Sequence, residues 1–285
     1  MATTAATLIQ RTRRMLRDWP EIDVTTASIA SNGTTLTVAD STLYFVNELL
    51  ELDQEVMRVT ALPSGTTLTV QRQMRGSTAA SHSSGATILQ SPAFYSVEIL
   101  DALNDGLDAC SPQIYRPVAL EETGPDGTTY EWNLPTMSGI SVAIPYLYEI
   151  EVKESGDPAF RKTDAWEVVR SENPFIKFRR PPSSGATIRL RGYGPFTHFT
   201  AVTDTLDTYF PVNAANLPVL FAVSELLASG EAGRVRVDTG TNDQREQANR
   251  VGSSMSAAQA LLQRFYQRRS DAAMAPMPRH VVSLF

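Results

Sequence analysis

The spacing of hydrophobic positions switches repeatedly between helical and strand period along the chain. From Thr7 to Arg17, Leu8, Ile9, Met15 and Leu16 recur near helical spacing with arginines between them, which predicts an amphipathic helix stopped at Asp18-Trp19-Pro20. From Val24 the period falls to two, through Ile29, Leu36 and Val38, Glu48 to Leu52, Val56 to Thr60, Leu68 and Val70, and Ile88. Turn signals at Asn32-Gly33, Pro63-Ser64-Gly65 and Ser84-Gly85 separate these runs, so a small antiparallel barrel or sandwich is expected. The run Gly33 to Val38 recurs unchanged at Gly65 to Val70. One recurrence reads as two similar hairpins, because repeat architectures need several copies to bury a core.

Ser91-Pro92 predicts a helix start, with Val97, Leu100, Leu103 and Leu107 on one face and an end before Pro112. A second alternating region follows: Gly139 to Ile144, Tyr146 to Val152, Ala165 to Arg170, Phe175 to Arg179 and Ala186 to Arg191 predict a five-stranded sheet or sandwich. After Pro211 the helical period returns. Leu217 to Leu227 ends at Ser229-Gly230, and about Asp243 to Arg269 reads as a longer helix carrying Ala248, Val251, Met255, Ala258, Leu261, Leu262 and Phe265.

Helices of this kind cannot stand alone in water. The expected fold class is therefore α+β: a helical bundle with two inserted antiparallel β-modules and an extended C-terminal arm. Residues 1–23 supply the N-terminal helix, 24–90 the first β-module, 91–127 the central helix, 128–200 the second β-module, 201–270 the C-terminal helices and 271–285 the arm.

The arm departs from everything before it. Met274-Ala-Pro276-Met-Pro278 cannot continue a helix, and Arg279, His280, Val281, Val282, Ser283, Leu284 and Phe285 form an apolar, β-prone end. Pro276, Pro278, Arg279, His280, Val281, Val282, Leu284 and Phe285 are the candidate docking residues, able to add a strand to another subunit or fill its groove. The other possibility is that they fold back on their own domain.

Composition narrows the function classes. The chain has 285 residues, 42% hydrophobic and 20% charged, with a formal charge of −6, which is ordinary globular composition and argues against gripping nucleic acid over the whole surface. Only Lys153, Lys162 and Lys177 are lysines, so cationic contacts rest on arginine. Arg11, Arg13, Arg14 and Arg17 on the first helix, with Arg264, Arg268 and Arg269 on the last, read either as a basic rim meeting an acidic surface or passing DNA, or as solvated helix faces. The single Cys110 excludes an internal disulfide, the first fifteen residues lack a signal-peptide apolar run, and no apolar stretch approaches the ~18 residues of a bilayer span. A soluble protein made and assembled in the cytoplasm, with no membrane partner, is the expectation.

The chemistry-bearing residues do not assemble into a catalytic motif. His82, His198 and His280 lie far apart without metal-ligand spacing, and Gly192-Tyr-Gly194-Pro195 runs into proline outside any βαβ unit. Glu121-Glu122 and Asp204/Asp207 sit in loop-like sequence where solvated surface is the usual fate. No catalytic residue, metal or cofactor is expected, and no enzyme.

One segment carries a specific likeness. Glu55-Val-Met-Arg-Val-Thr60, Gly65 to Arg72 with its Leu68-Thr-Val70 core, and the small-residue loop Arg75 to Ala86 resemble a pattern of tailed-bacteriophage structural proteins. In that pattern two strands lead into a loop of the form Arg-Gly-x-x-Gly-Thr-x-Ala-x-x-His-x-x-Gly. Arg72, Gly76, Thr78, Ala79, His82 and Gly85 match it, with the threonine one place late and Gln73 where the pattern has its first glycine. The likeness covers residues 55–90 and carries no catalytic residue. With the helices and arm, it implies a head-to-tail connector, also called an adaptor or neck protein: a virion structural protein forming a homo-oligomeric ring, often a dodecamer, that binds the portal protein, meets the next neck or tail protein and lets DNA pass. The alternative is a β-rich tail or baseplate component binding glycans through Trp132, Tyr146, Tyr148 and Trp166.

Overall fold

The computed structural model describes residues 3–111, 113–123, 127–133, 146–169, 175–237, 253–273 and 282–283. It divides into two compact units: Met1–Gly106 with Phe199–Leu206 and Asn216–Tyr266, and Leu107–His198 with Asp207–Ala215 and Gln267–Phe285.

The first unit opens with helix α1 (Ala5–Leu16), whose N-terminal Thr4 accepts a hydrogen bond from the Thr7 amide at 3.2 Å. Arg17, at φ 57°, takes the left-handed turn that ends it. Strands β1 (Glu21–Val24), β2 (Thr35–Thr37), β3 (Leu49–Leu52), β4 (Glu55–Ser64), β5 (Thr67–Met74) and β6 (Thr87–Gln90) then form one antiparallel sheet in the order β1-β6-β3-β4-β5-β2, curled into half a barrel. Strand alternation puts Leu36, Leu50, Leu52, Met57, Val59, Leu68, Val70 and Ile88 inside, where with Ile29, Val38 and Tyr44 they form a fully buried core. Glu51, between Leu50 and Leu52, must point to the outer face. In register it shares a row with Leu89 and Ile22.

Three helices contribute to this unit: α2 (Ser96–Asp108) as far as Gly106, α3 (Leu217–Val237), and α4 (Ser253–Asp271) as far as Tyr266. Through its first turns α3 is apolar on nearly every side, and α1 packs against it. Gly106 of α2 lies so close to α3 that an added Cβ would stand 2.9 Å from the Pro218 backbone, so a larger residue cannot fit there.

The second unit contains β7 (Arg116–Thr123), β8 (Glu131–Asn133), β9 (Tyr146–Lys153), β10 (Arg161–Thr163), β11 (Trp166–Val169), β12 (Phe175–Phe178), β13 (Thr187–Gly194) and β14 (Val282–Ser283). One sheet runs β10-β9-β13-β7, with β14 also on β9, and a second runs β11-β12-β8. Their facing side chains, Leu147, Ile150, Ile188 and Leu190 against Ile176 and Phe178, form the core of a small sandwich.

The fold corrects the expected helical bundle. The molecule is mostly β, 32% strand against 28% helix, and the described helices number four rather than forming a bundle that carries β-insertions. The first helix was expected to need other helices to bury its face. It does pack on a helix, α3, and through Arg13 it also lies on the outer face of the half-barrel. The second β-region begins at Arg116, not 128, because β7 also alternates. Helix α2 begins at Ser96, not Ser91, where Ser91 is a turn residue at φ 42° and the Tyr95 amide donates to Glu98 at 3.1 Å. Helix α3 runs through Gly230, and Gly139 to Ile144 and Asp243 to Gly252 lie outside the described residues. The stretch Val212–Gly230, with hydropathy 1.3, is apolar enough for a bilayer span, contrary to expectation, and half of it is buried in the fold as a core helix is.

Candidate functional site

Two ionic clusters flank the β3–β4 hairpin, one at the end of the half-barrel and one on its outer face. The first gathers Glu55, Arg72 and His82 of the phage-like segment. Glu55 begins β4 opposite Leu52, so its carboxylate sits at the mouth of the barrel interior. Arg72 of β5 donates to it through Nε at 2.8 Å and through Nη2, and also donates to the carbonyls of Ala30, Gly33 and Ala80. The Ala80 amide reaches Glu55 at 3.0 Å, and His82 places Nε2 3.0 Å from Glu55 and Nδ1 2.6 Å from Asp53. Burial alone would raise the Glu55 carboxyl, but the hydrogen bonds from Arg72, His82 and Ala80 with the Arg72 charge hold it below its ordinary value. This cluster ties the long loop after β5 to the barrel. His82 also pairs its backbone with Ile29, so far more than a turn hydrogen bond fixes it.

Gln73, standing where the pattern has glycine, adopts φ 59°. The backbone keeps the left-handed shape that glycine takes without penalty.

The second cluster lies under α1. Arg13, expected on a basic rim, is buried: it donates to Asp18 at 2.7 Å, to Glu51 at 2.9 Å and to the Ser96 hydroxyl at 3.2 Å. The Ser96 amide also donates to Glu51 Oε2, at 3.0 Å, whereas Oε1 is buried without a hydrogen-bond partner. Burial raises the Glu51 carboxyl above its ordinary value despite Ser96 and Arg13. Above these groups opens a cleft of about 580 Å³, walled by Ile9 and Gln10 of α1, by Ile22, Thr87 and Leu89 of the sheet, and by Trp19.

The remaining predicted rim residues divide. Arg11 donates to Asn216 at 2.8 Å and Arg269 to the Ala109 carbonyl at 2.6 Å, while Arg14, Arg17, Arg264 and Arg268 are exposed. Of the docking arm, Val282 and Ser283 pair antiparallel with Leu147 and Tyr146 of β9 in the same chain. Pro276, Pro278, Arg279, His280, Val281, Leu284 and Phe285 lie outside the described residues. The aromatics of the glycan alternative are partly spent on packing: Trp132 and Trp166 lie on the sandwich core, and Tyr148 stacks 4.8 Å from Tyr193. Cys110 is buried and its thiol is pushed up to about 12 by burial, which makes it a packing residue. Sequence reasoning missed both Arg13 and Glu51 as partners. The available signal was a glutamate alternating with two leucines in a strand.

No protein-family model matches the chain, and no characterised protein matches it in sequence.

Proposed function

We propose that this chain is a virion structural protein of a tailed bacteriophage, a head-to-tail connector whose copies form a ring joining the portal to the neck or tail and leaving a path for DNA. The observation that supports the reading is the convergence of Glu55, Arg72 and His82, spread over 28 positions of sequence, into one buried cluster. The likeness to phage structural proteins thus falls on residues that act together as a folding unit, which a chance match of scattered letters has no reason to do. The strand β14 fits the same role. Among the described residues it pairs two positions with the edge of β9, and so short a pairing is readily exchanged for a neighbour's.

In this reading each arm makes a modest contact, and ring closure multiplies such contacts into a permanent assembly. The test is to image the purified full chain with and without the portal protein of its own virion. Rings bound to the portal are expected, and removal of residues 274–285 leaves a folded chain that no longer joins it. A chain that stays monomeric beside its portal, or a truncation that binds as the full chain does, overturns the reading.

A further inference from the structure

We propose that the cleft between α1 and the outer face of the half-barrel receives an arginine side chain presented by an apolar segment of a partner protein. Its volume, about 580 Å³, falls within the ~300–1,000 Å³ typical of built binding pockets. Its walls are apolar where a side-chain stem would lie, with Ile9, Ile22, Leu89 and Val202, and polar where a cation would end.

Three observations select the occupant. Two buried carboxylates, Asp18 and Glu51, share the single buried guanidinium of Arg13, and Glu51 lines the cleft with Oε1 accepting no hydrogen bond. Of the lining acids Asp53 already meets His82 at 2.6 Å, which leaves Asp18 and Glu51 with Arg13 as their one buried cation and favours a further positive charge beside them. Trp19 and Ile22 line the same cleft yet are 71% and 70% exposed, a costly display of apolar surface for an unpartnered face. An arginine meets all three conditions at once. Its fork of N–H donors suits a carboxylate oxygen, its flat face stacks on an indole, and its stem and neighbours cover isoleucine.

The experiment titrates the full-length protein with the capped tripeptide acetyl-Leu-Arg-Leu-amide and with its uncharged citrulline counterpart, following the Trp19 indole resonance and the heat of binding. The arginine peptide is expected to saturate the Trp19 shift and to bind roughly tenfold tighter than the citrulline peptide, the discrimination expected of one charge-assisted hydrogen bond. Glu51→Gln removes that preference, and Trp19→Ala, an exposed position that the fold does not need, weakens the arginine peptide by roughly fivefold. Equal affinity for the two peptides, saturation without movement of the Trp19 signal, or no saturable binding overturns the proposal.

Discussion

Glu51 and Glu55 stand on the two strands of one hairpin, are both buried and both meet an arginine, yet their carboxyls move in opposite directions from the ordinary value of 4.5. The difference lies in how completely each charge is served. Glu55 has both oxygens engaged, by Arg72, His82 and the Ala80 amide, and the sum of these contacts exceeds the cost of burial. Glu51 has one oxygen served by Arg13 and Ser96 and the other left without a partner, so burial prevails. A nearby opposite charge does not by itself make a buried ion comfortable. Every lone pair has to be answered.

The largest expected effect comes from breaking the satisfied cluster. Arg72→Met leaves Glu55 buried and uncompensated and unties three carbonyls, and should cost about 3–5 kcal/mol in chemical denaturation at neutral pH. Because the folded Glu55 carboxyl is depressed, its contribution is present above 4.5 and is lost as pH falls through the lowered value. The stability gap between wild type and Arg72→Met should therefore close on acidification. A loss of under about 1 kcal/mol, as for an exposed pair, would show that the cluster is ornamental.

Glu51→Gln probes the unsatisfied side, and a smaller change of about 1 kcal/mol is expected, since the variant forfeits part of the Arg13 contact while removing a poorly served charge. The sign with pH is reversed here. A raised carboxyl favours the fold below 4.5 and that advantage is lost as pH rises through the folded value, so wild type should lose ground to the glutamine variant on going from acid to neutral. Denaturation midpoints at a series of pH values measure both slopes, and parallel curves for the two proteins would remove the contrast.

The smallest effect concerns the backbone that delivers Arg72 and His82. Gln73→Gly, at φ 59°, should raise stability by about 0.5–1 kcal/mol by relieving a left-handed glutamine. A destabilised variant would show that the Gln73 side chain contributes more than its strain costs.

Much of the half-barrel was legible in the sequence because its interior is filled by strict alternation, as in Leu50 and Leu52 or Leu68 and Val70. The described helices were legible from their spacing, as in Leu8 and Ile9 or Leu100, Leu103 and Leu107, whereas residues 274–281 of the expected arm lie outside the described residues. The relative weight of helix and sheet was not legible, since Arg116 to Thr123 opens on Arg-Pro and ends on two glutamates and a threonine, Arg161 to Thr163 is short and charged, and register with β9 and β13 rather than propensity makes them strands. Arg13 was misplaced for a related reason. Arginine stands at four nearby positions, and the neighbouring Asp18 with the distant Glu51 and Ser96 decides which of them is drawn inside. The outward direction of Glu51 followed from alternation, but not that α1 would lie over it.

Strand β9 bonds to β13 along one side, while on the other β10 covers Ile150 to Val152 and, among the described residues, Val282 and Ser283 cover Leu147 and Tyr146. Without Val282 and Ser283 the Tyr146–Leu147 stretch would present unpaired backbone groups of the kind that edge strands offer to an extended polypeptide. The same two residues that close this end of β9 thus decide whether its outer row of peptide groups is answered within the chain.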